Sequence, residues 1–454
     1  MFKKIEIWIL YFLLVIFLIV LILFGGILRH HYLGGEKFKL IQMTAKFIAE
    51  VPYNIKRIVL LLDDQGRYFL DESQKFKEKP KSKIYNDERI DGLLLLSRYD
   101  GDKDKFIVEV VDLLNYKTIH TYTPNSKELI NSVNIQDNYK KFDDLKKNLS
   151  YQRLFTWHPF LDGNGDVIFN SASPLFKINF CSNLVWTNDE HSYHHSIEKG
   201  NEGNYWVPSI LIPSMIDDEY YKNYEGDEGI SKISPEGQLI FEKSVTQILI
   251  DNGYRHLLFS QFTYSSDIIH MNDIQPVLED SKFWKKGDLF LSLRNLSMII
   301  LYRPSTNKII KMLRSPFFSY QHDVDIIDNK TIHIFNNNLF NTKKGQKVFT
   351  NSEIISYDFE LDEYSKVYNK TLKKHDVETA FGGLYQKLNN GSFMIEEQEH
   401  GRLLIFNNKQ EIIWEFVNKS RDDKIYALRW SRIIENKEII KSFKELIKEK
   451  KCTN

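Results

Sequence analysis

The chain has 454 residues, long enough for one large domain or two to three smaller ones. Lysine plus arginine and aspartate plus glutamate stand equal at 61 each, so no charge excess points to nucleic acid as a partner. Aromatic residues make up 14% and recur with isoleucine and asparagine in short alternating runs, which favours strands over helices.

In chain order, Ile7 to Leu28 comes first, a run of 22 residues without a charge. As a helix it would span roughly 33 Å at about 1.5 Å per residue. Lys3 and Lys4 precede it, Glu6 partly offsets them, and no small-x-small cleavage pattern closes it. The reading is an uncleaved single-pass anchor in membrane lipid, with a cytoplasmic N-terminus and the remainder on the extracytoplasmic, periplasmic side. Arg29, Lys37 and Lys39 weaken the charge asymmetry, and a buried core helix is the alternative. The expected organisation is an anchor over 1–35, a juxtamembrane segment over 36–88, strands over 89–434 and a charged, helical C-terminal tail over 435–454. Within the second part, KFKLIQMTAKFIAEV reads as a short helix.

From Asp91 a pattern recurs: an inner strand, a turn with Gly or Asn, a second apolar strand, and a later strand ending in an aromatic residue. Its instances are Asp91–Pro124, Trp157–Trp186, a third opening at Tyr193, a fourth at Ile268, a fifth at Tyr320 and a sixth over Gly382–Asn418. A lysine-rich insertion, Asn125–Ser150, is expected to be helical and solvated. In the fifth unit, HDVDII is read as a strand opened by His322, with a turn at Asp328-Asn329-Lys330 and a second strand over Thr331–Phe335. Spacings of 75, 52 and 60 residues separate His195, His270, His322 and Gly382. They suit blades of about 40–50 residues with insertions. The expected fold is all-β, a six-bladed β-propeller with an N-terminal transmembrane helix; a pair of β-sandwiches is the alternative. Lys424–Ile434 is read as the strand that closes the ring against the first blade. Inner strands of a propeller line its axis, so His195, His270 and His322 become candidates for one site.

Four motifs stand at those strands: HHS (His194–Ser196), HMND (His270–Asp273), GDLFLSLRN (Gly287–Asn295) and QHDV (Gln321–Val324). With the closing GG…LNNGSFMIEE…IIWEF segment, they resemble the bacterial arylsulfotransferase family, which uses no nucleotide sulfate donor. The likeness runs over Asp91–Arg432 as scattered motifs. It implies a six-bladed propeller and a transferase of aryl-sulfate type, needing no cofactor and no metal. The small-molecule partners it implies are a sulfate ester and a phenolic or other hydroxyl acceptor. It implies His322 as the nucleophile that carries the sulfuryl group and Arg294 as a catalytic clamp. His270, Asn272 and either His195 or its rival His194 would contact the substrate, and Thr379 is a candidate for the family's late threonine. The anchor departs from better-known soluble relatives. Oligomeric state is not legible.

A neutral imidazole is a competent nucleophile near pH 7, and transfer through sulfohistidine predicts ping-pong kinetics. Arg294 offers a bidentate donor for the spreading sulfuryl charge, and a buried arginine in an apolar run needs a partner anion in any case. His195 or His270 could protonate a departing phenolate. Blander readings are set beside these: histidines as hydrogen-bonded scaffold, Asn272 as a turn cap, Asp323 as an anchor for backbone. His158, His375 and His400 are taken as structural, and Tyr193, Trp206 and Trp430 as packing. Two other functions compete, a metal-binding propeller with histidine ligands and a silent propeller that binds peptide or glycan at the membrane surface. No HxH or carboxylate triad stands at ligand spacing, and an arginine in the same channel would repel a cation. Cys181 and Cys452 lie so far apart that they are read as unpaired thiols.

Overall fold

The computed structural model describes residues 6–33, 35, 37–63, 69–134, 154–171, 174–221, 224, 226–260, 265, 267–314, 316–343, 345–449 and 452. Most of the lysine-rich insertion expected to be helical lies outside them; its described part holds one short helix, Ser126–Asn131, capped by Asn125. The chain divides into two units, one helical and N-terminal, the other built from strands.

In the helical unit, α1 (Ile7–Tyr32) buries none of its side chains and is long and apolar enough to cross a membrane. A second helix, α2 (Lys39–Asp63), is longer than its sequence suggested and carries Pro52 inside it. Between them Gln42 Nε2 donates to the Gly35 carbonyl at 2.9 Å. A Cβ at Gly35 would come within 2.1 Å of the His30 imidazole, so any larger residue there requires that exposed ring to move.

The other unit is a six-bladed β-propeller. Its second blade is made of Trp157–Leu161, Val167–Asn170, Leu175–Ile178 and Leu184–Asn188, each antiparallel to the next. The turns are specified locally, because a short polar side chain at the turn's start can replace a backbone acceptor. Asp162 Oδ1 accepts from the N–H groups of Asn164 and Asp166, and Asn179, Asn407 and Ser234 each do the same for two following residues. Apolar positions pack between neighbouring blades. Val277, Phe290 and Ile299 of the fourth blade, for example, meet Val324, Ile332 and Ile355 of the fifth.

Closure joins the two ends of this unit. Arg432–Ile434 pairs with Leu93–Asp100 and supplies the innermost strand of the first blade. At the far side of the sixth blade, Ser82–Ile84 adds a fifth, outermost strand by pairing with Ile412–Val417. The propeller thus draws a strand from within 36–88. The C-terminal helix, Lys437–Glu449, is not a free tail, for it buries Ile440 and Phe443 in the cluster shared by the first two blades. A correction follows from the same end of the chain. Cys181 and Cys452 are not free thiols but form a disulfide across a sequence separation of 271. Sequence distance says nothing of spatial distance once a ring brings its ends together, and that misled the reading.

Around the axis, side chains of one blade satisfy backbone groups of the next. Ser196 Oγ accepts from Ile274 N, Asp273 from Val324 N, Asp323 from Tyr385 N, and Glu396 from both Trp430 N and Ser431 N. Between the first and second blades the direction reverses, with Ser97 Oγ donating to the Thr156 carbonyl. Asp323 therefore anchors backbone. Burial and the nearby carboxyls push Asp323 well above the usual carboxylate range, so it serves as a neutral group.

Candidate active site

Six residues at or before the inner strands adopt a left-handed backbone: His158, His195, His270, Tyr320, Gly382 and Trp430, one from each blade. Such conformations cost about 1–3 kcal/mol for a residue with a side chain and persist only where surrounding structure imposes them. Here they turn consecutive entry points toward the axis. Gly382 is required on a second count, since a Cβ there would lie 2.4 Å from Gln398 Oε1.

These turns enclose a cavity of about 210 Å³ lined by Trp157, His158, His195, His270, Arg294, His322, Phe381, Gly382, Gln398 and Trp430. Three candidate histidines and the candidate arginine are thus brought together from blades remote in sequence. The His195 ring lies 5.2 Å from that of His270 and 6.2 Å from that of His322. His194 and Asn272 do not line the cavity. His194 sits behind His195, their Nδ1 atoms 2.8 Å apart. Asn272 is fully buried and donates through Nδ2 to the Gln321 carbonyl at 3.1 Å, so it steadies the residue before His322.

Each cavity imidazole has its own backing. His322 Nδ1 lies 2.6 Å from Asn337 Oδ1, while Asn337 Nδ2 donates to the carbonyls of Thr379 and Gly382 at 3.0 and 2.7 Å. Those two donations fix the amide, so its oxygen must accept and His322 must carry its proton on Nδ1. The lone pair on Nε2 is left for the cavity, where the Gly382 N–H meets it at 3.1 Å. His270 Nδ1 donates to Asp267 Oδ2 at 2.8 Å. Burial alone would raise Asp267, but this bond holds it below the ordinary carboxylate range. Burial pushes His322 down to about 3, Arg294 adding to the effect and the Asn337 bond opposing it. Burial and the neighbouring imidazoles push His195 well below the ordinary histidine range, and burial, Arg432 and the nearby imidazoles do the same to His158.

Arg294 is buried and stands over the Tyr320 ring at 4.8 Å. One N–H goes to Asn295 Oδ1 at 2.8 Å, Nε has no partner, and no carboxylate among the described residues pairs with it. The guanidinium thus spends few of its five donors within the protein, and it lines the cavity. Among the described residues no group of three His, Cys, Asp or Glu is arranged to hold a metal ion.

Sequence reasoning missed His158, Trp157, Trp430 and Asn337. His158 was legible, because it opens an inner strand as the other cavity histidines do. Trp430 likewise precedes the closing strand. Asn337 follows from hairpin register, since pairing of Val324 with Ile334 carries Asn337 back beside His322. His400 lies elsewhere, 3.3 Å from Asp71.

A family model described as Arylsulfotransferase (ASST) matches residues 159–419, more than half of the chain. No curated protein sequence matches. Among solved structures, a protein of unknown function from Bacteroides caccae is 10% identical over 76% of this chain and 100% of its own, with a TM-score of 0.48. A catalytically inactive virginiamycin B lyase from Staphylococcus aureus with quinupristin is 13% identical over 57% and 69%, with a TM-score of 0.34. A streptogramin B lyase is 11% identical over 78% and 97%, with a TM-score of 0.38.

Proposed function

The chain belongs to the arylsulfotransferase family, and we propose that its axial cavity moves a sulfuryl group from a sulfate ester to an acceptor hydroxyl through a sulfohistidine at His322. The Nε2 lone pair attacks sulfur, the bond from sulfur to the aryl oxygen breaks, and the aryl oxide departs. In the second half an acceptor oxygen attacks sulfur, the S–N bond breaks, and the acceptor gives up its proton.

One observation carries this reading. Asn337 backs His322 with a neutral amide, leaving Nε2 unprotonated beside an uncommitted buried guanidinium. A carboxylate in that place, as behind His270, would favour an imidazolium and withdraw the nucleophile. Arg294 is the donor available to the sulfuryl oxygens as charge develops, and the Gly382 N–H is released from Nε2 as the N–S bond forms. The aromatic wall of Trp157, Trp430 and Phe381 suits an aryl group.

We further propose that α1 anchors the chain in a membrane with the propeller on the extracytoplasmic side. The lysines before α1 support that orientation. The Cys181–Cys452 disulfide supports it independently, because such bonds persist in oxidising compartments.

Rapid mixing with 4-nitrophenyl sulfate and no acceptor tests the transfer reading. It requires a burst of one equivalent of 4-nitrophenol per chain, absent in His322→Ala; release that is equal in the two proteins would refute it.

A further inference from the structure

Behind His195 runs a chain of groups that the transfer reaction, as set out above, does not use. His194 Nε2 lies 3.1 Å from Glu228 Oε2, and His194 Nδ1 lies 2.8 Å from His195 Nδ1. Both imidazoles come from the broken inner strand of the third blade. Glu228 comes from the blade's third strand, Glu228–Ile233, and is 2% exposed.

The proton positions follow from the ends of this chain. A carboxylate only accepts, so His194 carries a proton on Nε2. When His194 is neutral its Nδ1 is a lone pair, His195 Nδ1–H donates to it, and His195 Nε2 faces the cavity as a base. When His194 is an imidazolium the link reverses, and His195 Nε2 faces the cavity as an acid. A charge held on His195 itself would sit among the rings of His158, His270 and His322, at 5.9, 5.2 and 6.2 Å, and in the cavity that Arg294 lines. One hop moves it to His194, whose Nε2 lies 3.1 Å from Glu228 Oε2. Asp267, a carboxylate beside the cavity, is engaged by His270.

We propose that Glu228, His194 and His195 form a proton relay that lends one proton to the leaving aryl oxide and recovers it from the acceptor hydroxyl. The proposal rests on the sulfuryl-transfer reading. In the first half, His195 Nε2–H protonates the aryl oxygen as the S–O bond breaks, and His194 Nδ1–H passes to His195 Nδ1. In the second half, the acceptor's proton passes to His195 Nε2 as its oxygen attacks sulfur, and His195 Nδ1–H returns to His194. The relay ends each cycle as it began. His195 touches the reacting oxygen; His194 and Glu228 act through it.

Leaving-group dependence separates such a relay from a structural role. 4-Nitrophenoxide departs without a proton, whereas phenoxide is basic and needs one. In full-length Glu228→Gln and His194→Phe, the ratio of enzyme sulfation rates for phenyl sulfate over 4-nitrophenyl sulfate should fall roughly a hundredfold against the parent, the size usual for loss of general acid catalysis. Glu228→Gln keeps the shape and a hydrogen-bonding group, so it serves if His194→Phe fails to fold. An unchanged ratio in Glu228→Gln would overturn the relay while leaving a 4-nitrophenol burst, and with it the transfer reading, intact. Absence of that burst in the parent would overturn both.

Discussion

The Nδ1 atom of His322 lies 2.6 Å from Oδ1 of Asn337, both residues buried beside the cavity at the propeller axis. This one bond sets the tautomer and aims Nε2, while burial keeps the ring neutral against the bond's own pull toward the imidazolium. Asn337→Leu should therefore slow enzyme sulfation by about a hundredfold, of the order lost with one orienting or stabilising group. Asn337→Asp should act through charge instead. His322 sits at about 3 and stays neutral throughout the range from pH 5 to pH 8. A carboxylate beside it favours the imidazolium, so the acid limb of kcat/KM for 4-nitrophenyl sulfate should move up into that range. An acid limb that does not move would separate Asn337 from the nucleophile.

Arg294 holds its charge with one hydrogen bond to Asn295 and, among the described residues, no ion pair. Arg294→Lys keeps the charge but loses the planar fork that meets two oxygens at once. Enzyme sulfation by 4-nitrophenyl sulfate should fall by about 3 kcal/mol of transition-state stabilisation, roughly a hundredfold. Parent-like single-turnover rates would assign the guanidinium to scaffold.

Further along the axis Asp325 feels the charge of Glu198, which pairs with Arg432 at 2.9 Å. Burial and Glu198 push Asp325 up to about 7, against 3.8 for an unperturbed aspartate, with Arg432 opposing. Between those values the folded chain keeps a proton that the unfolded chain has released. The stability it contributes is complete below about pH 4 and lost as pH rises toward 7. Asp325→Asn should flatten that slope, which thermal unfolding of the detergent-solubilised chain at stepped pH would reveal. A slope as steep as the parent's would place the proton elsewhere.

The Cys181–Cys452 bond fastens the end of the chain to the second blade, beyond the closing strand and the C-terminal helix. Reduction, or Cys181→Ser, should cost about 2–4 kcal/mol and lower the Tm. Hydrogen exchange should rise first in Lys437–Glu449, the segment the bond holds down. Protection that is unaltered there would show that packing of Ile440 and Phe443 suffices.

Much of this was legible in the amino-acid order. The period of the units gave the propeller, the hairpin from His322 to Phe335 gave its own register, and the expected closing strand Lys424–Ile434 gave the closure, which pairs only over Arg432–Ile434. His195, His270 and His322 could be named because each opens or precedes an inner strand, whereas Arg294 follows the second strand of the fourth blade and was named from its motif alone. What stayed hidden depends on neighbours in space. Which of His194 and His195 faces the axis is decided by one left-handed residue, His195, and by Glu228 drawing its neighbour away. His158 was read as structural and Trp430 as packing because neither carries a motif around it, although both stand at or before inner strands as the other cavity residues do. The disulfide was invisible because closure of the ring, not local spacing, brings its halves together.

Most direct of all is the intact mass of the full chain quenched after 4-nitrophenyl sulfate, with peptide mapping of the adduct under conditions that spare the N–S bond. Transfer through His322 requires one added sulfuryl group, carried on the peptide containing His322, lost on adding phenol and absent in His322→Ala. An unmodified chain that still turns over the donor, or an adduct on another residue, would contradict it.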